Sequence, residues 1–149
     1  MQATVNVAQA FGIPGEMYDL TPRRVDAFEV AADATMGGLA GFDTNGKVGP
    51  FGTTYSKLAG IFVRPHEMVN YGADGEALKA SSAIKSGVTA QVCSMGRVIV
   101  TMTVVTVEGD LVYVTSAGAY VKNTPTGNTL VGKIIKGGAA NNLAVIELG

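Results

Sequence analysis

The feature that most constrains this chain is a period of two in its second half. Val98, Val100, Met102 and Val104 alternate with Thr101 and Thr103, and Val88, Ala90 and Val92 face one way just upstream. Successive side chains of an extended chain point to opposite faces, so such a run buries one side and wets the other. On a helix the same residues would be smeared around the whole surface. Turn signals punctuate the pattern at Met95-Gly96 (a turn or bulge), Glu108-Gly109-Asp110, Ser116 to Gly118 and Gly137 to Asn142. The spacing predicts strands near 88–94, 97–107, 111–115, 119–122, 130–136 and 143–148, the rhythm of an all-β sandwich or barrel. At Val104-Val105 the alternation slips by one, which reads as a β-bulge or strand bend. Val98, Val100, Met102, Leu111, Tyr113, Ile134, Val145 and Ile146 are the expected contributors to the core.

The first half is less regular. Residues 25–33 alternate as a half-buried strand does, and 59–64 read as a short buried strand that Pro65 ends, because proline supplies no ladder donor. Between them six glycines fall within 34–52, at 37, 38, 41, 46, 49 and 52. Neither phosphate-loop pattern is present, so this stretch reads as turns and bulges, with Asn45-Gly46 as a hairpin signal. Residues 65–71 suit a single helical turn, and 76–86 a short helix or an irregular crossing. Residues 1–24 carry Gly12, Pro14, Gly15 and Pro22, which break any helix, yet Val5, Val7, Phe11, Ile13, Met17, Tyr18 and Leu20 are too apolar for a disordered tail. Such a segment docks on something, either its own barrel or a neighbouring subunit. The expected organisation is an extended N-terminal arm over 1–24 and one β-domain over 25–149, a small β-barrel or jelly-roll-like sandwich.

Composition excludes several classes of function. One His and one Cys among 149 residues leave no disulfide within a chain and no His/Cys metal cluster. A net charge of −1 gives no field to draw nucleic acid. The most apolar stretch, Val98 to Val107, is too short for a membrane-spanning helix. Residues 1–15 carry no charge and so lack the basic start of a signal peptide, which makes the cytoplasm the expected place of synthesis. Charged residues are 15%, against a usual figure of about 25%. A surface this poor in charge is either rich in small polar groups or covered by partner chains, as obligate interfaces are.

No residue pattern points to catalysis. Cys93 ends an apolar strand, where a free cysteine acts as a small core residue. His66 has no second histidine to share a metal, and Glu108 with Asp110 reads as a turn. Asp19, Asp26, Glu29 and Asp33 are spread along the arm and first strand, so a paired-carboxylate hydrolase has no visible pair. No catalytic, cofactor-binding or metal residue is assigned. A carbohydrate-binding module would need aromatic platforms, for which Tyr18, Tyr55, Tyr71 and Tyr120 are the candidates.

Several segments resemble one family in order and spacing. They are Pro22-Arg23-Arg24-Val25, Leu58-Ala59-Gly60-Ile61-Phe62-Val63-Arg64-Pro65 with Tyr71-Gly72, Met95-Gly96-Arg97-Val98-Ile99-Val100, Gly109-Asp110-Leu111-Val112-Tyr113-Val114, Gly118-Ala119, and Asn142-Leu143-Ala144-Val145-Ile146-Glu147-Leu148. Together they are similar to the structural cement, or head decoration, proteins of tailed bacteriophages. The 34–52 and 122–133 stretches depart from that pattern. The resemblance implies a β-barrel or jelly-roll-like structural protein without cofactor. It implies attachment to the outside of an icosahedral capsid, stabilising contacts between capsomers. The implied partners are the major capsid protein and other copies of the chain, as a dimer or trimer, with no nucleic acid and no membrane. The expected interface residues are Val5, Val7, Phe11, Ile13, Met17, Tyr18, Arg23 and Arg24, with Arg23 and Arg24 pairing with acids where the arm leaves the β-domain.

Overall fold

A computed structural model describes residues 12–64, 83–138 and 142–149. Eleven strands run in chain order: β1 (Arg24–Glu29), β2 (Ala34–Thr35), β3 (Leu39–Phe42), β4 (Val48–Pro50), β5 (Lys57–Val63), β6 (Ala83–Ile84), β7 (Thr89–Thr101), β8 (Leu111–Val114), β9 (Tyr120–Lys122), β10 (Thr129–Lys136) and β11 (Leu143–Leu148). No α-helix occurs among the described residues. The helical turn expected at 65–71, and 76–82 of the expected crossing, lie outside them.

The thirteen-residue strand β7 organises both layers. The two strands read at 88–94 and 97–107 are this one strand, passing through Gly96 at φ +132°. Before Gly96, β7 pairs antiparallel with β1 and with β5; from Gly96 to Thr101 it pairs with β11. The first layer therefore runs β4-β3-β5-β7-β1, and the second β7-β11-β10-β8-β9. The first layer curls until Val30, just past β1, bridges Val48 of β4, with the Ala31 amide donating to the Val48 carbonyl at 2.8 Å.

Alternation then decides which side chains meet. Leu39, Ile61, Val63 and Cys93 of the first layer pack against Val98, Val100, Val112, Val114, Ile134, Ala144 and Ile146 of the second. The other side of the curled layer gathers Val30, Ala40, Val48, Phe62, Ala90 and Val92, together with Ala34 and Ile84 of the small β2-β6 ladder. A third cluster, Ile99, Leu143 and Val145, lies on the outer face of the second layer.

Four expectations are corrected. The glycine-rich stretch contains three short strands as well as turns, and Asn45-Gly46 does close the β3–β4 hairpin. The strand expected at 25–33 stops at Glu29. The ladder of β7 ends at Thr101, where the pairing with Leu143 begins β11, so the phase slip at Val104-Val105 falls in a loop beyond the strand. Leu111 is 40% exposed and Tyr113 half-buried, both facing outward, while Val112 and Val114 take the core positions. The other six expected core residues are buried.

Candidate interaction site

The arm root, residues 12–22, lies along the second layer. Its backbone extends the sheet beyond β7: the Gly15 amide donates to the Ile99 carbonyl at 2.8 Å, the Ile99 amide to the Glu16 carbonyl at 2.9 Å, and the Tyr18 amide to the Arg97 carbonyl at 2.9 Å. A second anchor comes from the end of β5, where the Arg64 amide donates to the Gly15 carbonyl at 2.7 Å and Arg64 Nε to the Pro14 carbonyl at 2.9 Å. The seat is tight. Gly15 at φ +87° and Gly37 at φ +81° occupy the left-handed region, and a Cβ on Gly37 would stand 2.7 Å from Cβ of Pro14 and 2.9 Å from the Gly15 nitrogen. Only glycine allows both the backbone shape and the approach.

Side chains of the root close over apolar surface. Met17 packs against the main core, and Tyr18 against Ile99, Leu143 and Val145, which are at most 6% exposed. Lys136 Nζ stands 6.0 Å from the centre of the Tyr18 ring. The root is thus part of the β-domain's own packing, and removing residues 2–20 would uncover that cluster. Val5, Val7 and Phe11 lie outside the described residues.

Charge at the joint is organised by Arg97, which sequence reasoning did not single out. Its Nη1 donates to Asp19 at 3.0 Å and its Nε to Glu147 at 2.7 Å. Asp19 also accepts from the hydroxyl and amide of Thr21. The Thr21 hydroxyl, then its amide and Arg97, hold the Asp19 carboxyl below its ordinary value. Glu147 and Asp19 in turn push the Arg97 guanidinium up. Arg23 and Arg24, expected to make these pairs, are exposed and form no ion pair among the described residues. The bulge between Arg24 and Val25 displaces this corner from the ladder, and Arg97, directly opposite Glu147, holds the pairing position. The sequence signal was the charge set within an apolar strand.

Elsewhere the described side chains are taken up by the fold's own contacts. A cleft of about 390 Å³ is lined by Leu39, Phe51, Phe62, Thr35, Gly118 and Asp33. The Asp33 carboxylate there is taken up by the Ser86 amide at 2.9 Å and Lys85 at 3.1 Å. No group of three or more metal-ligating side chains occurs among the described residues. Cys93 is fully buried, its thiol 3.1 Å from the Met95 carbonyl oxygen, and burial pushes its pKa up. Tyr55 lies over Gly49, and Tyr120 is half-buried against the main core with its hydroxyl enclosed. With Tyr18 they serve the fold; Tyr71 lies outside the described residues.

Comparison with known proteins agrees with this geometry. No curated protein matches the chain. A solved structure described as "The capsid of Myoviridae Phage XM1" contains a chain with the same fold, at a TM-score of 0.67 and 22% identity, covering 100% of this chain and 97% of the other. The family model "Structural cement protein (E217 gp24/Pam3 gp6)" matches residues 1–149. The chain therefore belongs to the phage structural cement protein family, and is a structural component of the virion.

Proposed function

We propose that this protein attaches to the outer surface of an icosahedral phage head and ties neighbouring capsomers of the major capsid protein together, with no catalytic step. The observation that carries the reading is the match of the whole chain to the structural cement family. The fold shared with a chain from a phage capsid supports it.

The physical properties suit the task. A cement subunit meets a repeating surface, so each weak contact becomes effectively intramolecular once the first is made, and affinity accumulates without any single strong site. Of the arm, residues 1–24, the part before the root is the element that reaches another chain. Val5, Val7 and Phe11 are its apolar anchors, with Ile13 at the point where the root begins. Met17 and Tyr18 hold the root in place. Arg23 and Arg24, exposed and without an acid in their own described chain, are available to carboxylates of the partner.

The experiment is co-sedimentation with shells that lack the protein, using the full chain, a form without residues 2–11, and R23E/R24E. The full chain should pellet with the shells, and both variants should bind more weakly while keeping the β spectrum. Absence of binding by the full chain would defeat the cement reading; equal binding by all three would defeat the role of the arm.

A further inference from the structure

The outer face of the second layer is covered on one side only. Over β7 and β11 the arm root buries Ile99, Leu143 and Val145. Over β10, β8 and β9 the same face leaves Leu130 and Leu111 exposed among the described residues. Leu130 stands opposite Tyr113, and Tyr113 opposite Val121, in one row across three strands; Leu111 follows two residues along β8. Leu130 is 53% exposed, and beside this face Val105 and Val107 are 64% and 54% exposed on the loop after β7. Five of the eight exposed large hydrophobics among the described residues fall between 104 and 130.

The loop that carries the valines is tied to its neighbours by four hydrogen bonds. Lys122 Nζ donates to the Val105 carbonyl at 2.8 Å, the Val107 amide to Asp110 at 3.1 Å, Asn123 Nδ2 to Asp110 at 2.9 Å, and the Gly109 amide to the Ile134 carbonyl at 2.9 Å. Thr106 between the valines is 2% exposed. A surface ordered in advance loses little entropy when it is covered.

We propose that this open half-face receives residues 2–11 of a second copy of the chain. The proposal rests on the arm reading above and names its acceptor. Three observations support the occupant. The segment is uncharged and carries Val5, Val7 and Phe11, with Val5 and Val7 two apart, the spacing of one strand face. Its root begins at Gly12, beside Ile99 on the covered half of the same outer face. Ten extended residues reach roughly 33–36 Å, whereas β10 to β9 spans only about 10 Å at two strand spacings. Among the described residues Leu130 and Leu111 stay exposed on this face, with Tyr113 half-buried beside them. One arm and one acceptor per molecule allow a reciprocal two-fold pair or, where the rotation closes, a ring.

The test mixes two single variants, Val7→Cys and Leu130→Cys, free and on shells, with a short bis-maleimide; the wild-type chain, whose Cys93 is buried, is the control. The proposal expects a crosslinked dimer that forms only when both variants are present. Crosslinking confined to a Val7→Cys/Leu130→Cys double variant, within one chain, would overturn it, as would no crosslink. Leu130→Asp should also weaken self-association roughly tenfold or more, with an unchanged β spectrum. If the wild-type chain binds shells while the mixture gives no dimer, this inference alone fails; if the wild-type chain does not bind shells, the cement reading fails.

Discussion

Replacing Gly37 by Ala isolates the seat of the arm root. Two costs arise. A non-glycine residue in the left-handed region at φ +81° costs about 1–2 kcal/mol. The new Cβ would also stand 2.7 Å from Pro14 Cβ and 2.9 Å from the Gly15 nitrogen, and backbone cannot yield that much without the root lifting. Lifting rewets part of Ile99, Leu143 and Val145, and at roughly 1.5–3 kcal/mol for each side chain fully exposed, partial rewetting adds about 2–3 kcal/mol. The sum is about 3–5 kcal/mol, a fall in Tm of roughly 6–20 °C at about 2–4 °C per kcal/mol for a chain of this size. Gly46→Ala is the control, because Gly46 has φ +78° but nothing within 4 Å of its Cβ position. It should show the conformational cost alone, a fall of roughly 2–8 °C. The assay is a thermal melt of both variants with amide exchange read at Gly15, Tyr18 and Ile99. Gly37→Ala should melt well below Gly46→Ala and lose protection at those three amides. Equal melting temperatures with intact protection would refute the claim that the glycine pair seats the arm.

Three further outcomes are expected. Asp19 is depressed by its Thr21 and Arg97 contacts, so its contribution is fully present above its ordinary value of 3.8 and is lost as pH falls through its lower folded value; proteolysis at residues 12–22 should quicken on acidification below about pH 4 and not on raising the pH from 5 to 8. Ile146→Ala should cost about 2–5 kcal/mol by denaturant titration, whereas Leu111→Ala, at a position 40% exposed, should stay within about 0.5 kcal/mol, a contrast that vanishes if the β8 faces are assigned the wrong way round. Cys93 should resist alkylation in the native protein and react only on unfolding, since it is buried and its thiolate is disfavoured; rapid native labelling at neutral pH would contradict that.

Much of the second half of the fold was legible as apolar strands punctuated by turn signals. Val98 and Val100 could be assigned from alternation, and with Ile134 and Ile146 they meet in the core. The same rule overshot at Val104 to Val107, since apolar periodicity carries no information about where the neighbouring strand runs out of pairing partners. The short strands β3 and β4 were illegible for a different reason. Gly41 and Gly49 lie beneath Tyr55, where a Cβ on Gly49 would stand 2.6 Å from its ring, so the positions that would have shown alternation are stripped to hydrogen. Of the interface residues, Met17 and Tyr18 were recognised as needing burial, but composition does not say on which surface. The ion cluster at the joint depends on Arg97 meeting Glu147 from β11 and Asp19 from the root, separations of 50 and 78 residues that spacing arguments do not span.

The most direct test of the central claim is an electron cryomicroscopy map of heads assembled without this protein and then incubated with it. The cement reading predicts added density on the outer surface at the joints between capsomers, with the two-layered β-domain outside. An unchanged outer surface, or density confined to the inner face or the tail, would contradict it.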